Sequence, residues 1–163
     1  MAIWQFPIAL LPQDWLDAGG DVHALFEDEG GLDASLAWRS FGHAKLEGVL
    51  GNAALGKGKS YHSDVTAWGS EQTDYIQLWR RKDKVQSVNV RFDLRQPNMA
   101  LFQQVIHIAQ ELRLVIVTLE TISVVPLDVL RLLRAAAESR AAHFVLDPTS
   151  FLSQMESANS RAT

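Results

Sequence analysis

The sequence of 163 residues contains no cysteine. This excludes disulfide bonds, thiol chemistry and zinc sites built on cysteine ligands, and it agrees with a reducing compartment. An excess of positive charge is also missing, because the formal net charge is -4 and the isoelectric point lies near 5.7. That balance argues against nucleic acid or an anionic membrane as the main partner, and it favours a basic partner.

A long, uninterrupted apolar run is absent too. Within the N-terminal stretch MAIWQFPIALLPQDW, Pro7 and Pro12 interrupt the apolar residues, Asp14 follows closely, and no basic region comes first. A membrane span needs about 20 apolar residues, and a signal peptide needs a basic start and a small-residue cleavage site. We therefore predict a soluble, cytoplasmic protein that keeps its N-terminus.

Complete catalytic motifs are missing as well. No GxSxG nucleophile elbow occurs. The stretch GNAALGKGKS resembles a phosphate-binding loop, but Gly58 stands after Lys57, where a serine or threonine hydroxyl must bind magnesium. A shifted alignment ends correctly at Ser60 but places Ala53 at the first glycine. We predict a flexible loop there and no cofactor.

His62 and Asp64, in the sequence SYHSD, offer two metal ligands. A metal site needs three or four, and no second cluster of ligands is evident in the sequence. We predict no metal site and no catalytic residues. The alternative is a small enzyme of unknown chemistry in which His62, Asp64 and Asp93 supply acid and base groups.

The stretch SVNVRFDLRQPN alternates apolar and polar residues, as a strand with one buried face does. A similar strand precedes it, and the turn sequence RKDK separates the two. Matching apolar residues across this hairpin requires Leu78 opposite Val88 and Ile76 opposite Val90, because a slip by one residue would place apolar opposite polar. The expected loop is 82–84, or five residues if the last pair frays.

The remaining patterns predict strands and helices along the whole chain. In the first half they are a strand near 3–9, a short helix near 13–17, a strand or helix at 33–40, and strands at 73–80 and 85–94. In the second half they are a helix from about 98 to 112, strands at 112–119, 122–125 and 143–147, and a short helix after Asp147. Pro126 and Asp128 open a further helix, whose predicted apolar face carries Leu127, Leu130, Leu133 and Ala137. We predict an α+β fold: a mainly antiparallel or mixed sheet with helices packed against it. Residues 1–156 form a single domain, and 157–163 form a flexible polar tail.

The polar face of the predicted hairpin combines aromatic rings with arginine, which is the composition of a protein-binding hot spot. An acidic loop nearer the N-terminus adds charge. The predicted partner contacts are Trp68, Tyr75, Trp79, Arg91, Glu27, Asp28 and Glu29. Two alternatives remain: the rings lie beneath a loop or a second layer, and Asp93 forms a local ion-pair ladder with Arg91 and Arg95.

Several segments together resemble small bacterial proteins of the polymorphic-toxin immunity type. They are the pair W68-G69, the stretch DYIQLW ending at residue 79, VNVRFDLR at 88–95, FQQVIHIAQEL in the predicted helix and FVLDPTSFL at 144–152. The resemblance covers roughly residues 64 to 155, with an echo in FPIALLPQDWL near the start. These segments belong to the scaffold, so they assign no functional residue.

The resemblance implies a non-enzymatic, cytoplasmic protein that binds and blocks one cognate toxin. Proteins of this type are encoded beside a toxin delivered by a contact-dependent or type VI system. The net negative charge of this chain is compatible with steering towards a basic toxin. A further alternative is a structural domain that forms a homodimer through the polar face of its sheet.

Overall fold

In the computed structural model, residues 2–26, 31–42, 45–53 and 55–161 are described, with side chains as far as residue 154. These residues form one six-stranded sheet and seven α-helices. The strands are β1 (Gln5–Pro12), β2 (Val65–Gly69), β3 (Tyr75–Arg81), β4 (Lys84–Asp93), β5 (Leu114–Thr118) and β6 (Ser123–Val125). The helices are α1 (Gln13–Asp17), α2 (Ser35–Trp38), α3 (Leu46–Gly51), α4 (Met99–Glu111), α5 (Val129–Ala137), α6 (Arg140–Leu146) and α7 (Pro148–Arg161).

All neighbouring strands are antiparallel, in the order β2-β3-β4-β1-β5-β6. The predicted α+β class is confirmed. The undecided segment at 33–40 contains α2, and the predicted strand near 3–9 is β1. None of the described helices has the length and apolar character that a bilayer crossing requires.

The β3–β4 hairpin has the predicted register, with Ile76 opposite Val90 and Leu78 opposite Val88. Its turn is shorter than predicted, because Arg81 pairs with Lys84 and only residues 82 and 83 remain in the loop. Both loop residues have positive φ angles, 49° and 60°, as in the two-residue turns whose twist suits a hairpin.

A β-bulge accounts for the difference in turn length. Trp79 pairs with Ser87 and Arg80 pairs with Val85, so Gln86 has no partner in the ladder. Without the extra residue, Val85 would share a face with Ser87. The bulge turns the Val85 side chain into the core, where it is buried, and shortens the loop.

The sheet has two faces with different coverings. The core face carries Ile8 of β1, Val90 and Phe92 of β4 and their apolar neighbours, and α4 packs over it with Phe102 stacked on Phe92 at 4.0 Å between ring centroids. The opposite face, here called the polar face, carries Asn89 and Arg91 on β4. Its β1–β5 half is apolar and buried, and α6 packs against β1. Burial on both faces explains why apolar residues follow one another along β1 and β5 instead of alternating with polar ones.

In the C-terminal third, one prediction is wrong and another is wrong in part. Residues 143–147 were expected as a strand, but they belong to α6 and its C-terminal cap, and the Ser139 hydroxyl accepts a hydrogen bond from the Ala142 amide at the N-terminus of this helix. Helix α5 buries Leu132 and Ala136, and Leu127 and Leu133 are partly buried against the core. Of the predicted apolar face, Leu130 (74% exposed) and Ala137 are exposed, so the prediction is wrong for half of that face. Helix α7 continues through residue 161, into the segment predicted as a polar tail.

The outer edge of β2 is covered by the segment that follows α3. Gly58 donates a backbone hydrogen bond to Ala67 (2.9 Å), and Gly69 donates one to Gly56 (2.8 Å). The Ser60 hydroxyl also donates to the Val65 carbonyl. This segment lacks the strand–loop–helix context of a phosphate-binding loop, because it follows α3 and precedes β2, and its Gly58 amide donates to β2. Covering an edge in this way prevents pairing with another chain.

Candidate functional site

The polar face is open only over β3, β4 and the adjoining part of β1, where it forms the floor of a groove of about 810 Å³. We call this depression the sheet groove. Its floor side chains from β3 and β4 are Gln77, Trp79, Ser87, Asn89 and Arg91. They point the same way because residues two apart on a strand share a face, and the register places β3 beside β4.

Side chains from distant parts of the chain form the walls of the sheet groove. Phe26 and Leu32, which form an isolated β-bridge with each other, line one side. Tyr61 stands over β3, where its hydroxyl accepts a hydrogen bond of 2.6 Å from the Gln77 amide. Leu119 and Ala141 belong to the wall beside β1. Because these walls come from loops and α6, the groove is a property of the tertiary fold.

Arg91 is the charged residue among the floor side chains from β3 and β4, and a neighbouring ring holds its guanidinium in position. Its guanidinium carbon lies 5.5 Å from the centroid of the Tyr75 ring, so a cation–π contact supports it from below. No carboxylate of the described residues lies within ion-pair distance of it, and Asp93 pairs with Arg95 instead. The predicted ladder of Arg91, Asp93 and Arg95 is therefore wrong at its Arg91 end.

Tyr75 was predicted as a partner contact, but it is 2% exposed. Its side chain is therefore not accessible for direct contact with a partner. Its hydroxyl is buried and has no hydrogen-bond partner among the described residues. Burial raises the pKa of the Tyr75 phenol above its usual value, against the opposite effect of Arg91. The ring thus remains neutral and serves as the platform on which Arg91 rests.

Trp79 fits its predicted role best among the aromatic residues. It is 38% exposed, and one face of its ring stacks on the His62 imidazole, with centroids 6.2 Å apart. Trp68 does not fit, because it pairs with Ile76 and so lies on the core face, 6% exposed. The predicted contacts Glu27, Asp28 and Glu29 lie outside the described residues.

Asn89 leaves a polar atom without a partner in the groove floor. Its amide nitrogen donates to the Ser87 hydroxyl at 3.2 Å, but its side-chain oxygen is buried and has no partner among the described residues. A buried acceptor oxygen without a hydrogen-bond donor lowers the stability of the fold. The middle of the groove floor is therefore not fully satisfied by the protein alone.

Asp93 holds a loop in place at the far end of β4. Its carboxylate accepts hydrogen bonds of 3.0 and 2.7 Å from the Arg95 side chain, whose guanidinium carbon lies 4.2 Å from the Trp4 ring centroid. Arg95 also donates to the Gln72 carbonyl at 2.8 Å. We call this arrangement the clasp. It joins the N-terminus, β4 and the loop between β2 and β3, so Asp93 has a structural role.

Asp93→Asn is expected to lower the free energy of unfolding at pH 7 by about 1–2 kcal/mol, because the charged hydrogen bonds from Arg95 are lost. Hydrogen bonds from the Arg95 side chain hold the pKa of the Asp93 carboxyl below its usual value, although burial opposes them. A group with a lowered folded-state pKa stabilises the protein above its unfolded pKa of about 3.9, and that contribution is lost as pH falls through the folded value.

Denaturant unfolding between pH 7 and pH 3 checks this expectation. The difference between Asp93→Asn and the parent should shrink below about pH 4. Asp128→Asn is the matched control, since Asp128 caps α5 by accepting from the Arg131 amide and asparagine caps a helix equally well. A constant difference across the pH range would contradict the assigned role of the charge.

The three residues of the enzyme alternative do not meet. His62 and Asp64 lie beside Trp79, where their side chains are 3.8 Å apart, and Arg80 donates to the Asp64 carbonyl. Asp93 lies beyond Tyr75, at the other end of β3. Trp79 lies opposite Ser87, and the six residues from Ser87 to Asp93 along β4 correspond to about 20 Å. No group of three or more histidine and acidic residues suited to a metal occurs in the described part of the chain.

Sequence reasoning missed Tyr61, Phe26 and Leu32. Tyr61 is a turn residue in sequence, and its bond to Gln77 joins positions 16 residues apart. Phe26 and Leu32 flank the predicted acidic loop, which was the only local signal near them. Phe26 and Leu32 line the groove because of how the N-terminal segments pack. The spacing of apolar residues along the sequence does not predict that packing.

The geometry is thus a groove whose floor holds an exposed indole, a supported guanidinium and an unsatisfied amide. Comparison with protein-family models, with curated proteins and with solved structures gives no match to this chain.

Proposed function

We propose that this protein is a non-enzymatic binding protein of the immunity type, which binds and neutralises one cognate bacterial toxin through the sheet groove. The observation that carries the proposal is the groove itself. One half of the polar face is closed by α6, while the β3–β4 half stays open with Trp79 and Arg91 in its floor. This open half combines an exposed tryptophan with an arginine, which are residue types enriched in protein interfaces.

The residues at the groove surface have the composition of a protein-binding site. Trp79 and Tyr61 present aromatic rings, and tryptophan, tyrosine and arginine are the residues most enriched among hot spots. Both rings are held in place, by the stack on His62 and by the bond from Gln77. Fixed side chains lose less conformational entropy on binding, which favours affinity.

The shape of the groove disfavours the homodimer alternative. Two identical faces would have to meet across walls that rise from the floor on the Tyr61 side and on the Phe26–Leu32 side. A partner with a protruding segment fits such a depression better than a second flat sheet does. We therefore keep a different protein as the proposed partner.

The test is a calorimetric titration of the protein with the product of the adjacent gene. Trp79→Ala is expected to weaken binding by about 2 kcal/mol, or roughly 30-fold in the dissociation constant, if the indole is a hot spot. Leu130→Ala is the control, because Leu130 is an exposed apolar residue on α5, outside the groove.

A growth assay separates immunity from binding of another kind. Cells that express the adjacent product should stop growing unless the protein is present, and Trp79→Ala should protect them less well. An adjacent product that is harmless, or that binds without being neutralised, would reject the immunity function. Equal binding by Trp79→Ala and the parent would move the docking surface elsewhere.

A further inference from the structure

We infer that the sheet groove recognises an extended segment of a protein partner that carries an acidic residue, with an apolar residue four positions away. This inference rests on the proposed binding function and names the chemistry of the ligand. It differs from the net charge of the chain, which favours a basic partner, because the local charge in the groove floor has the opposite sign.

The acidic position follows from Arg91. Its guanidinium is held over the Tyr75 ring, which orients it but leaves its N–H donors without a carboxylate from the described chain. A guanidinium presents paired donors that match a carboxylate in a bidentate geometry. Aspartate or glutamate on the partner would supply the charge that the groove floor lacks.

The apolar position follows from the opposite end of the groove. Trp79 and Leu32 line the sheet groove and also an adjoining depression of about 430 Å³, so they lie together beside Ser87. Phe26 adds a second apolar side chain to that wall. This end offers an apolar surface and a fixed indole, which suits an aliphatic or aromatic side chain.

The spacing follows from the strand on which both ends are built. Ser87 and Arg91 are four residues apart on β4, which corresponds to about 13 Å. An extended segment lying along β4 has the same rise per residue, so its side chains at positions i and i+4 reach the two ends. The residue between them, at i+2, lies over Asn89, whose unsatisfied side-chain oxygen is in the middle of the floor.

A protein segment fits better than a small carboxylic acid. Small-molecule sites enclose most of their ligand, whereas this groove is open to solvent and stretches from the N-terminal residues Ala2 and Ile3 to Leu32. Its polar groups come from β3 and β4, from Tyr61, and from Glu120 and Arg140 on the wall, so they are spread along the groove. The exposed rings of Tyr61 and Trp79 are the kind of anchor that protein interfaces use.

Two blocked heptapeptides test the inference without any toxin. In each, glutamate and leucine are four positions apart, in one order or the other, with alanine and glycine elsewhere. At millimolar concentration, we expect one of them to shift the nitrogen and proton resonances of Gln77, Asn89 and Trp79. Replacing its glutamate by glutamine should weaken binding at least tenfold.

Arg91→Gln should abolish the shifts, and Arg91→Lys should weaken them, because an ammonium group lacks the bidentate geometry. Arg131→Gln is the matched control, since Arg131 is exposed on α5, away from the groove. Thermal unfolding of each variant confirms that it is folded. Both variants should remain folded, with Arg91→Gln losing only the cation–π contact to Tyr75 and Arg91→Lys keeping a cation there.

Three outcomes would overturn the inference. The glutamine peptide binds as well as the glutamate peptide, the shifts survive in Arg91→Gln, or free glutarate binds as tightly as the peptide. The last result would identify a small-acid site. Failure of the adjacent gene product to bind rejects the proposed immunity function instead, and it leaves the peptide result standing.

Discussion

Phe92→Ala is expected to lower the free energy of unfolding by about 3–5 kcal/mol, which is a large part of the stability of a domain of this size. Phe92 is 1% exposed and lies at the centre of an aromatic stack, between Phe102 of α4 and Phe6 of β1. Truncation removes the buried ring and leaves a cavity that two rigid neighbours cannot fill. Chemical denaturation with an unchanged m-value measures this loss.

Leu130→Ala is the control for this measurement, because the Leu130 side chain is mostly in solvent and its removal opens no cavity. We expect its effect to stay within about 0.5 kcal/mol. If Phe92→Ala unfolds at the same denaturant concentration as Leu130→Ala, the assignment of the core face is reversed.

Gly69→Ala should be the second most damaging substitution, at about 2–4 kcal/mol. Gly69 has a φ angle of +81°, and a Cβ atom there would overlap the Asp74 carbonyl oxygen. That oxygen also accepts a hydrogen bond from the Ser70 amide at 3.0 Å, so the turn between β2 and β3 cannot relax without losing it. The cost combines the left-handed backbone with the steric overlap.

Gly48→Ala provides the opposite expectation with the same chemical change. Gly48 lies inside α3, and a Cβ atom there meets nothing within 4 Å. Alanine restricts the unfolded chain and favours the helix, so stability should rise by about 0.5–1 kcal/mol. Thermal unfolding of the two variants side by side tests both signs. Equal effects would show that the β2–β3 turn tolerates a side chain.

The sequence allowed the hairpin register to be predicted, because Val88 and Val90 alternate with polar residues and only one pairing places Leu78 and Ile76 opposite them. Helix α4 was predictable for a similar reason: its apolar residues recur at helical spacing, and Asn98 caps it by accepting from the Leu101 amide. In both segments the local pattern and the tertiary packing agree.

Predictions failed where packing and local pattern disagree. Residues 143–147 contain a short apolar run that suits a strand or a buried helix, and Ser139 provided the helix-start signal that would have decided between them. The bulge at Gln86 shows in the sequence only as Val85, an apolar residue that is out of phase with Val88 and Val90. It exists because Val85 is buried, which is a tertiary fact.

The site was only partly predictable. Arg91 and Trp79 share a face by alternation alone, so the sequence places them together. Trp68 was predicted as a partner contact although it lies on the core face, because no strand was predicted at β2. The clasp joins Trp4 to Arg95, and the groove joins Leu32 to Trp79; such pairings depend on the whole sheet being formed.

The position of β1 has a consequence for synthesis of the protein on the ribosome. The first strand to emerge occupies the centre of the sheet, and its neighbours are residues 84–93 and 114–118. Both strands that pair with β1 are synthesised much later than β1 itself, so the sheet can form only after β5 has emerged. Contacts between residues so far apart in sequence also form slowly. Until then the apolar residues 5–12 are a segment that a nascent-chain chaperone would bind.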